Sequence, residues 1–161
     1  MDAPLIIGVD DEPDDIFFLR RALQKTGVPH RFQPFSNGHA AMAALTAVAR
    51  KDPGAEAPLV CFLDIKMVGL SGFDILRWIR SQHELDLLPV LMFSSSDHPA
   101  DVQMARDLGA QGYLKKHPSI SAMQTVLEEA IRFAQAEASQ KTFLQWTYRF
   151  VDSAASGVAA G

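Results

Sequence analysis

Five short apolar runs punctuate the chain, at residues 4–10, 30–35, 58–64, 88–94 and 111–116. Between them, apolar residues recur at helical spacing. That alternation predicts a parallel sheet with helices on both faces. The third and fourth runs are almost wholly apolar, as expected of central strands covered on both sides. Helices are predicted from Pro13 to Lys25, with Asp14 and Asp15 at its positive end and Gly27 as its stop, and from Gly38 to Arg50 behind an Asn37 cap. Two more follow, from Ser71-Gly72 to Ser81 and from Pro99 to Leu108, the latter stopped by Gly109. The fifth begins after Ser119, where Ile120, Met123, Leu127, Ile131 and Ala134 give one apolar face.

Two segments stand outside these five units. Residues 50–58, RKDPGAEAP, read as a polar loop before the third strand. Beyond the first domain, expected over 1–138, residues 139–161 exceed what the units need. In them Phe143, Trp146, Thr147 and Phe150 fall at i, i+3, i+4 and i+7, predicting a short amphipathic helix, and SAASGVAAG reads as a flexible tail.

Composition narrows the function. At 161 residues and 48% hydrophobic the chain has material for one sizeable core. A net charge of −4 gives no general attraction to nucleic acid or anionic membrane. No run approaches the roughly 20 apolar residues that span a bilayer, and the acidic start is unlike a secretory signal. The single cysteine, Cys61, cannot form an internal disulfide and lies in LVCFL, so it reads as a core thiol in a cytoplasmic protein.

The chemistry sits where the runs end. Asp10-Asp11 closes LIIGVDD, Asp64 closes LVCFLD, Ser94 closes PVLMFS, and Lys116 closes GYLKK. In a parallel α/β sheet, residues just beyond the carboxyl ends of strands face one crevice. Three carboxylates together repel unless a hard cation joins them, and Mg²⁺ favours such oxygen ligands. An Asp can also act as a nucleophile toward a phosphoryl group. Each signal has an ordinary counterpart: a solvated acidic turn at 10–15, a capping Asp64, a serine turn at 94–96, and a solvated lysine. Lys115 rivals Lys116, because strand alternation from Tyr113 puts Lys115 on the Tyr113 side and Lys116 on the other.

Taken jointly, IIGVDDEPDD, FLDIKMVGLSGFDIL, PVLMFSSSD and GAQGYLKKHPS resemble the receiver domain of bacterial two-component response regulators over about residues 4–135. The resemblance implies a flavodoxin-like, doubly wound five-stranded parallel sheet, (βα)5, here with a C-terminal helical extension. It also implies roles. Asp64 is the phosphoacceptor for a sensor histidine kinase or phosphotransfer protein. Asp11 binds Mg²⁺ directly with Asp10 assisting, and the Lys66 backbone carbonyl is a further metal ligand. Ser94 is the switch hydroxyl, Lys116 the phosphate-binding lysine, and Tyr113 the switch aromatic that turns inward. The alternative for Tyr113 is an edge-strand aromatic with its hydroxyl in water. Output would pass through the surface of the fourth helix, fifth strand and fifth helix to a downstream protein. Such a receiver is a switch and not a turnover enzyme.

The sequence departs from the family pattern at two points. Val68 stands where proline is frequent, and His117 intervenes between Lys116 and Pro118. Residues 136–161 are too few for a DNA-binding unit. The 50–58 loop and the apolar C-terminal stripe resemble single-domain regulators that serve phytochrome-type kinases. That subgroup implies a homodimer with Phe143, Trp146 and Phe150 as contact area, against a stripe that folds back on its own domain. Two rival functions fit the motifs less well. A haloacid-dehalogenase-like phosphatase needs an acid two residues after its nucleophile, where Lys66 stands. A phosphorylation-independent interaction module is expected to lose an acid or the lysine, and all are present.

Overall fold

The computed structural model describes residues 2–136. The strands are β1 (Leu5–Val9), β2 (Arg31–Phe35), β3 (Val60–Asp64), β4 (Val90–Ser94) and β5 (Gly112–Lys115). The helices are α1 (Pro13–Lys25), α2 (Gly38–Ala49), α3 (Gly72–Ser81), α4 (Pro99–Asp107) and α5 (Ile120–Gln135). All five strands are parallel, in the order β2-β1-β3-β4-β5. The order reverses direction between β1 and β3, which opens a crevice at their carboxyl ends. The doubly wound (βα)5 fold read from the sequence is therefore present. The residues proposed for a C-terminal interface, Phe143, Trp146 and Phe150, lie outside the described residues.

Strand alternation sorts the core into two layers. Ile7, Val9, Cys61, Leu63 and Met92 pack with α2, α3 and α4, whereas Ile6, Val60, Phe62, Leu91, Phe93 and Leu114 pack with α1 and α5. β3 and β4 are buried along their whole length, as their apolar sequences require. β2 is one of the two edge strands and alternates exposed Arg31 and Gln33 with half-buried Phe32.

Strand boundaries fall a residue or two inside the sequence reading, furthest at two starts. β3 begins at Val60 rather than 58, and β4 at Val90 rather than 88. Pro58 and Pro89 precede them, and proline has no N–H for a strand ladder. The sequence pattern also missed a 3₁₀ turn, His83–Leu85, that buries Leu85 beneath α3. It is one short turn without helical periodicity, so it left no signal.

Local sequence fixes the helix starts that border the crevice. Pro13 sits in the first turn of α1, whose early acids Asp14 and Asp15 suit its positive end. Ser71 and Asp74 form a reciprocal capping box at the start of α3. Gly72 follows, and its lack of a side chain is needed there: a Cβ would collide with the carbonyl oxygen of Asp64. A glycine in α3 thus lets the helix close directly behind the end of β3.

Candidate phosphoryl-acceptor site

Asp10, Asp11 and Asp64 converge where β1 and β3 end. One carboxylate oxygen from each lies within 4.8 Å of the others. Asp10 is 2% exposed and Asp64 4%, while Asp11 faces solvent. The Asp10 Oδ1 accepts a hydrogen bond from the Glu12 N–H at 3.0 Å, which fixes the turn into α1. Asp11 Oδ2 accepts from the Val68 N–H at 2.9 Å and so ties the β1 turn to the loop after β3. Lys66 lies in that loop, exposed, two residues beyond Asp64.

Position separates the two lysines. Lys116 brings its ammonium, 7% exposed, to 2.7 Å from Asp10 Oδ2, 2.8 Å from Asp15 Oδ2 and 3.1 Å from Asp64 Oδ1. Its backbone N–H donates to the Ser94 carbonyl, which anchors it to the end of β4, and the Lys116–His117 peptide is cis. Lys115 continues the strand alternation instead and pairs with Asp97 at 3.3 Å. Of the two, Lys116 is the lysine that reaches the clustered carboxylates.

Charge and burial pull these groups in opposite directions. Burial and then the neighbouring Asp10 charge push the Asp64 carboxyl up to about 6, against the pull of Lys116. For Lys116, burial alone would lower its pKa, but the short contacts to Asp10 and Asp15 and the Asp64 charge outweigh it and raise the lysine. The ammonium is therefore held fully charged among acids that exceed it in number. A cluster with that surplus suits a hard cation. Asp10 Oδ2 belongs to the same cluster: it is buried, and its close contact is the Lys116 ammonium at 2.7 Å. Oxygen-only donors of this kind match Mg²⁺ chemistry.

Ser94 and Tyr113 sit on the far side of the crevice. Ser94 is 1% exposed and its hydroxyl oxygen accepts from the Ser96 N–H at 3.1 Å. Tyr113 is 3% exposed and packs in the α3–α4 layer, with its hydroxyl donating to the Ser96 carbonyl at 2.6 Å. Of the two readings of Tyr113, the alternative that leaves its hydroxyl in water does not hold: Tyr113 lies on the edge strand β5, but its ring is turned in and its hydroxyl meets the Ser96 carbonyl in the β4–α4 loop. Ser96 in turn donates its hydroxyl to Asp101, which fastens that loop to α4.

Sequence reasoning missed Asp15 as a site residue and read it only as a helix-start acid. No local pattern marks it: Asp15 sits in the first turn of α1 like Asp14, and the ammonium it meets is 101 positions away.

The family profile described as the response regulator receiver domain matches residues 6–128. The chain belongs to the response regulator receiver domain family. As a receiver it is 32% identical to protein PilH of Pseudomonas aeruginosa over 111 residues, which is 69% of this chain and 84% of PilH. Two other curated matches are longer: the receiver spans 46% of the response regulator protein GraR of Staphylococcus aureus and 25% of a probable cyclic di-GMP phosphodiesterase of Vibrio cholerae. Among solved structures, the phosphorylated cyanobacterial phytochrome response regulator RcpA aligns with a TM-score of 0.66 at 26% identity, over 81% of this chain and 93% of that one. The bacteriophytochrome response regulator AtBRR aligns with a TM-score of 0.69 over 87% and 100%, and at 22% identity it shows the fold alone. Membership of this family makes the chain a receiver domain of a response regulator, the kind of domain used in two-component signalling. Among the described residues, no helix is long and apolar enough to cross a membrane.

Proposed function

We propose that this receiver is a phosphoryl-accepting switch with Asp64 as the acceptor. The observation that carries the proposal is the gathering of Asp10, Asp11 and Asp64 in one crevice, with a buried ammonium against Asp10 and Asp64. A carboxylate oxygen of Asp64 attacks the phosphorus of a phosphohistidine. The P–N bond breaks as the P–O bond forms, and the departing imidazole takes up a proton from solvent. Lys116 offsets charge on the transferring group. Asp10, Asp11, Asp64 and the Lys66 carbonyl are the ligands proposed for Mg²⁺, which supplies charge neutralisation at the phosphoryl oxygens when bound.

Ser94 and Tyr113 are proposed as the readout. Ser94 donates its hydroxyl to the phosphoryl oxygen, and the Ser94–Ser96–Tyr113 contacts carry that change to the face of α4, β5 and α5. A protein donor fits the rim, where Phe17 and Phe18 are 51% and 48% exposed and Phe18 stacks edge-on against His117. The partner proposed is a sensor histidine kinase or phosphotransfer protein. The likeness to RcpA, a phytochrome response regulator, supports a phytochrome-type kinase as the donor, and a cytoplasmic location and a homodimer are further parts of the same proposal. The receiver unit is proposed to span 1–138, followed by the 139–161 extension.

The test is intact mass after incubation with acetyl phosphate and Mg²⁺, with phosphorylated kinase as a second donor. One phosphoryl adduct is expected on wild type and none on Asp64→Ala or without metal. An adduct that persists in Asp64→Ala sinks the assignment, as does failure of wild type with both donors.

A further inference from the structure

Asp15 lies in the first turn of α1 beside Asp14. A helix start favours both acids equally through its dipole. Their surroundings differ: Asp14 is exposed, whereas the Asp15 side chain is 21% exposed and reaches into the crevice. Its Oδ2 accepts a hydrogen bond from Lys116 Nζ at 2.8 Å, and its Oδ1 lies 3.7 Å from His117 Nε2.

An ammonium has three N–H donors. Three carboxylates crowd Lys116, at 2.7 Å for Asp10, 2.8 Å for Asp15 and 3.1 Å for Asp64. A phosphoryl group on Asp64 adds oxygens that need the same ammonium. One carboxylate must then yield. Asp64 carries the phosphoryl group, and Asp10 is proposed to face the metal. Asp15 is the contact left with Lys116 as its object.

We propose that Asp15 is a positioning residue that anchors Lys116 on the α1 side of the crevice and competes with phosphoryl oxygens for its ammonium. It thereby sets how strongly the site holds a phosphoryl group. The inference rests on the phosphoryl-acceptor reading above and adds a control on its strength. Asp15 touches no reacting atom; it acts through Lys116.

The test is calorimetric titration of the full chain with beryllofluoride, a tetrahedral phosphoryl mimic, at saturating Mg²⁺. Removing the competing charge with Asp15→Asn is expected to lower Kd about tenfold. Asp15→Ser, shorter and also neutral, is expected to act in the same direction. Asp15→Glu restores the carboxylate and is expected to stay within about twofold of wild type. Asp14→Asn deletes the same charge from the same helical turn without touching Lys116, and is expected to leave Kd unchanged. A purely structural Asp15 would lower the unfolding midpoint of the variant without tightening the mimic. An unchanged or weakened Kd in both Asp15→Asn and Asp15→Ser overturns the proposal, and so does an equal gain in Asp14→Asn. If wild type itself binds no mimic and accepts no phosphoryl group, the acceptor reading fails first and takes this inference with it. Tight wild-type binding with no Asp15 effect overturns this inference alone.

Discussion

Among the described residues, two cations enter the interior of this receiver, at opposite ends of the strands, and their surroundings differ. Arg80, at the amino-terminal end of β4, sends Nε to the Gly109 carbonyl at 3.0 Å, Nη1 to the Leu85 carbonyl at 3.2 Å and Nη2 to Gln111 Oε1 at 2.8 Å. Gln111 Oε1 also accepts from the Val90 N–H at 2.7 Å, so the guanidinium clamps α3 to the start of β4 and β5. Lys116, at the carboxyl-terminal end, sits among carboxylates. Burial lowers Arg80 to about 10, and the nearby charges only partly counter it, so it stays protonated at neutral pH. At Lys116 the carboxylates win and the shift is upward. A cation held by carbonyl and amide dipoles completes a structure. One outnumbered by acids leaves a surplus negative charge that a metal ion can take up.

The comparison is broken most severely at Arg80. Arg80→Met takes its donor from the Gly109 carbonyl and one of two donors from both the Leu85 carbonyl and Gln111 Oε1. We expect it to cost about 3 kcal/mol of stability, read as a lower urea midpoint. Phosphoryl incorporation at Asp64 is expected to persist in the folded variant. A folded Arg80→Met that no longer accepts a phosphoryl group would show that the two ends of the sheet are coupled and not separate.

A smaller effect is expected at Asp64 in the metal-free protein, with a defined sign. Its folded pKa of about 6 exceeds the ordinary 3.8, so the fold holds the proton more tightly than the unfolded chain does. That contribution is fully present below pH 3.8 and is lost as pH rises through about 6. Asp64→Asn is neutral throughout. It is expected to exceed wild type by roughly 1 to 3 kcal/mol above that range, with the gap closing in acid. Mg²⁺ should narrow or reverse the order, since only wild type has the full ligand set. Thermal midpoints at low and neutral pH, with and without Mg²⁺, read all four corners. A wild type that outlasts Asp64→Asn at neutral pH without metal would deny the surplus charge on which the comparison stands.

The contrast also explains what the chain disclosed in advance. Strand-end residues were legible, because a run such as LVCFLD can only stop where its aspartate meets the edge of the sheet. All four clusters therefore landed in one crevice. The β3 and β4 starts were not, since apolar character continues through Leu59 and Leu88 while Pro58 and Pro89 interrupt the ladder. Asp15 escaped for a different reason. Its partner, Lys116, is 101 positions away, and only the assembled sheet brings them together. Arg80 escaped likewise: in FDILRWIRS it reads as a solvated helix residue, and its carbonyl partners lie on other elements.

Cys61 gives the smallest effect and the sharpest check on the inert end. The thiol is 0% exposed on β3 and feels the charge of Arg80. A nearby cation ordinarily lowers a thiol and makes it reactive. Here burial prevails and pushes Cys61 up to about 12, so the thiolate is scarce at any working pH. Native protein at mild alkaline pH is expected to resist a thiol-specific reagent, and the same protein in urea to react at once. Arg80→Met, assayed where it remains folded, should then label faster in proportion to its lost stability, because opening of the fold limits access. Fast labelling of folded wild type would mean that the guanidinium activates the thiol, and the Arg80 end would share the reactivity reserved for the other.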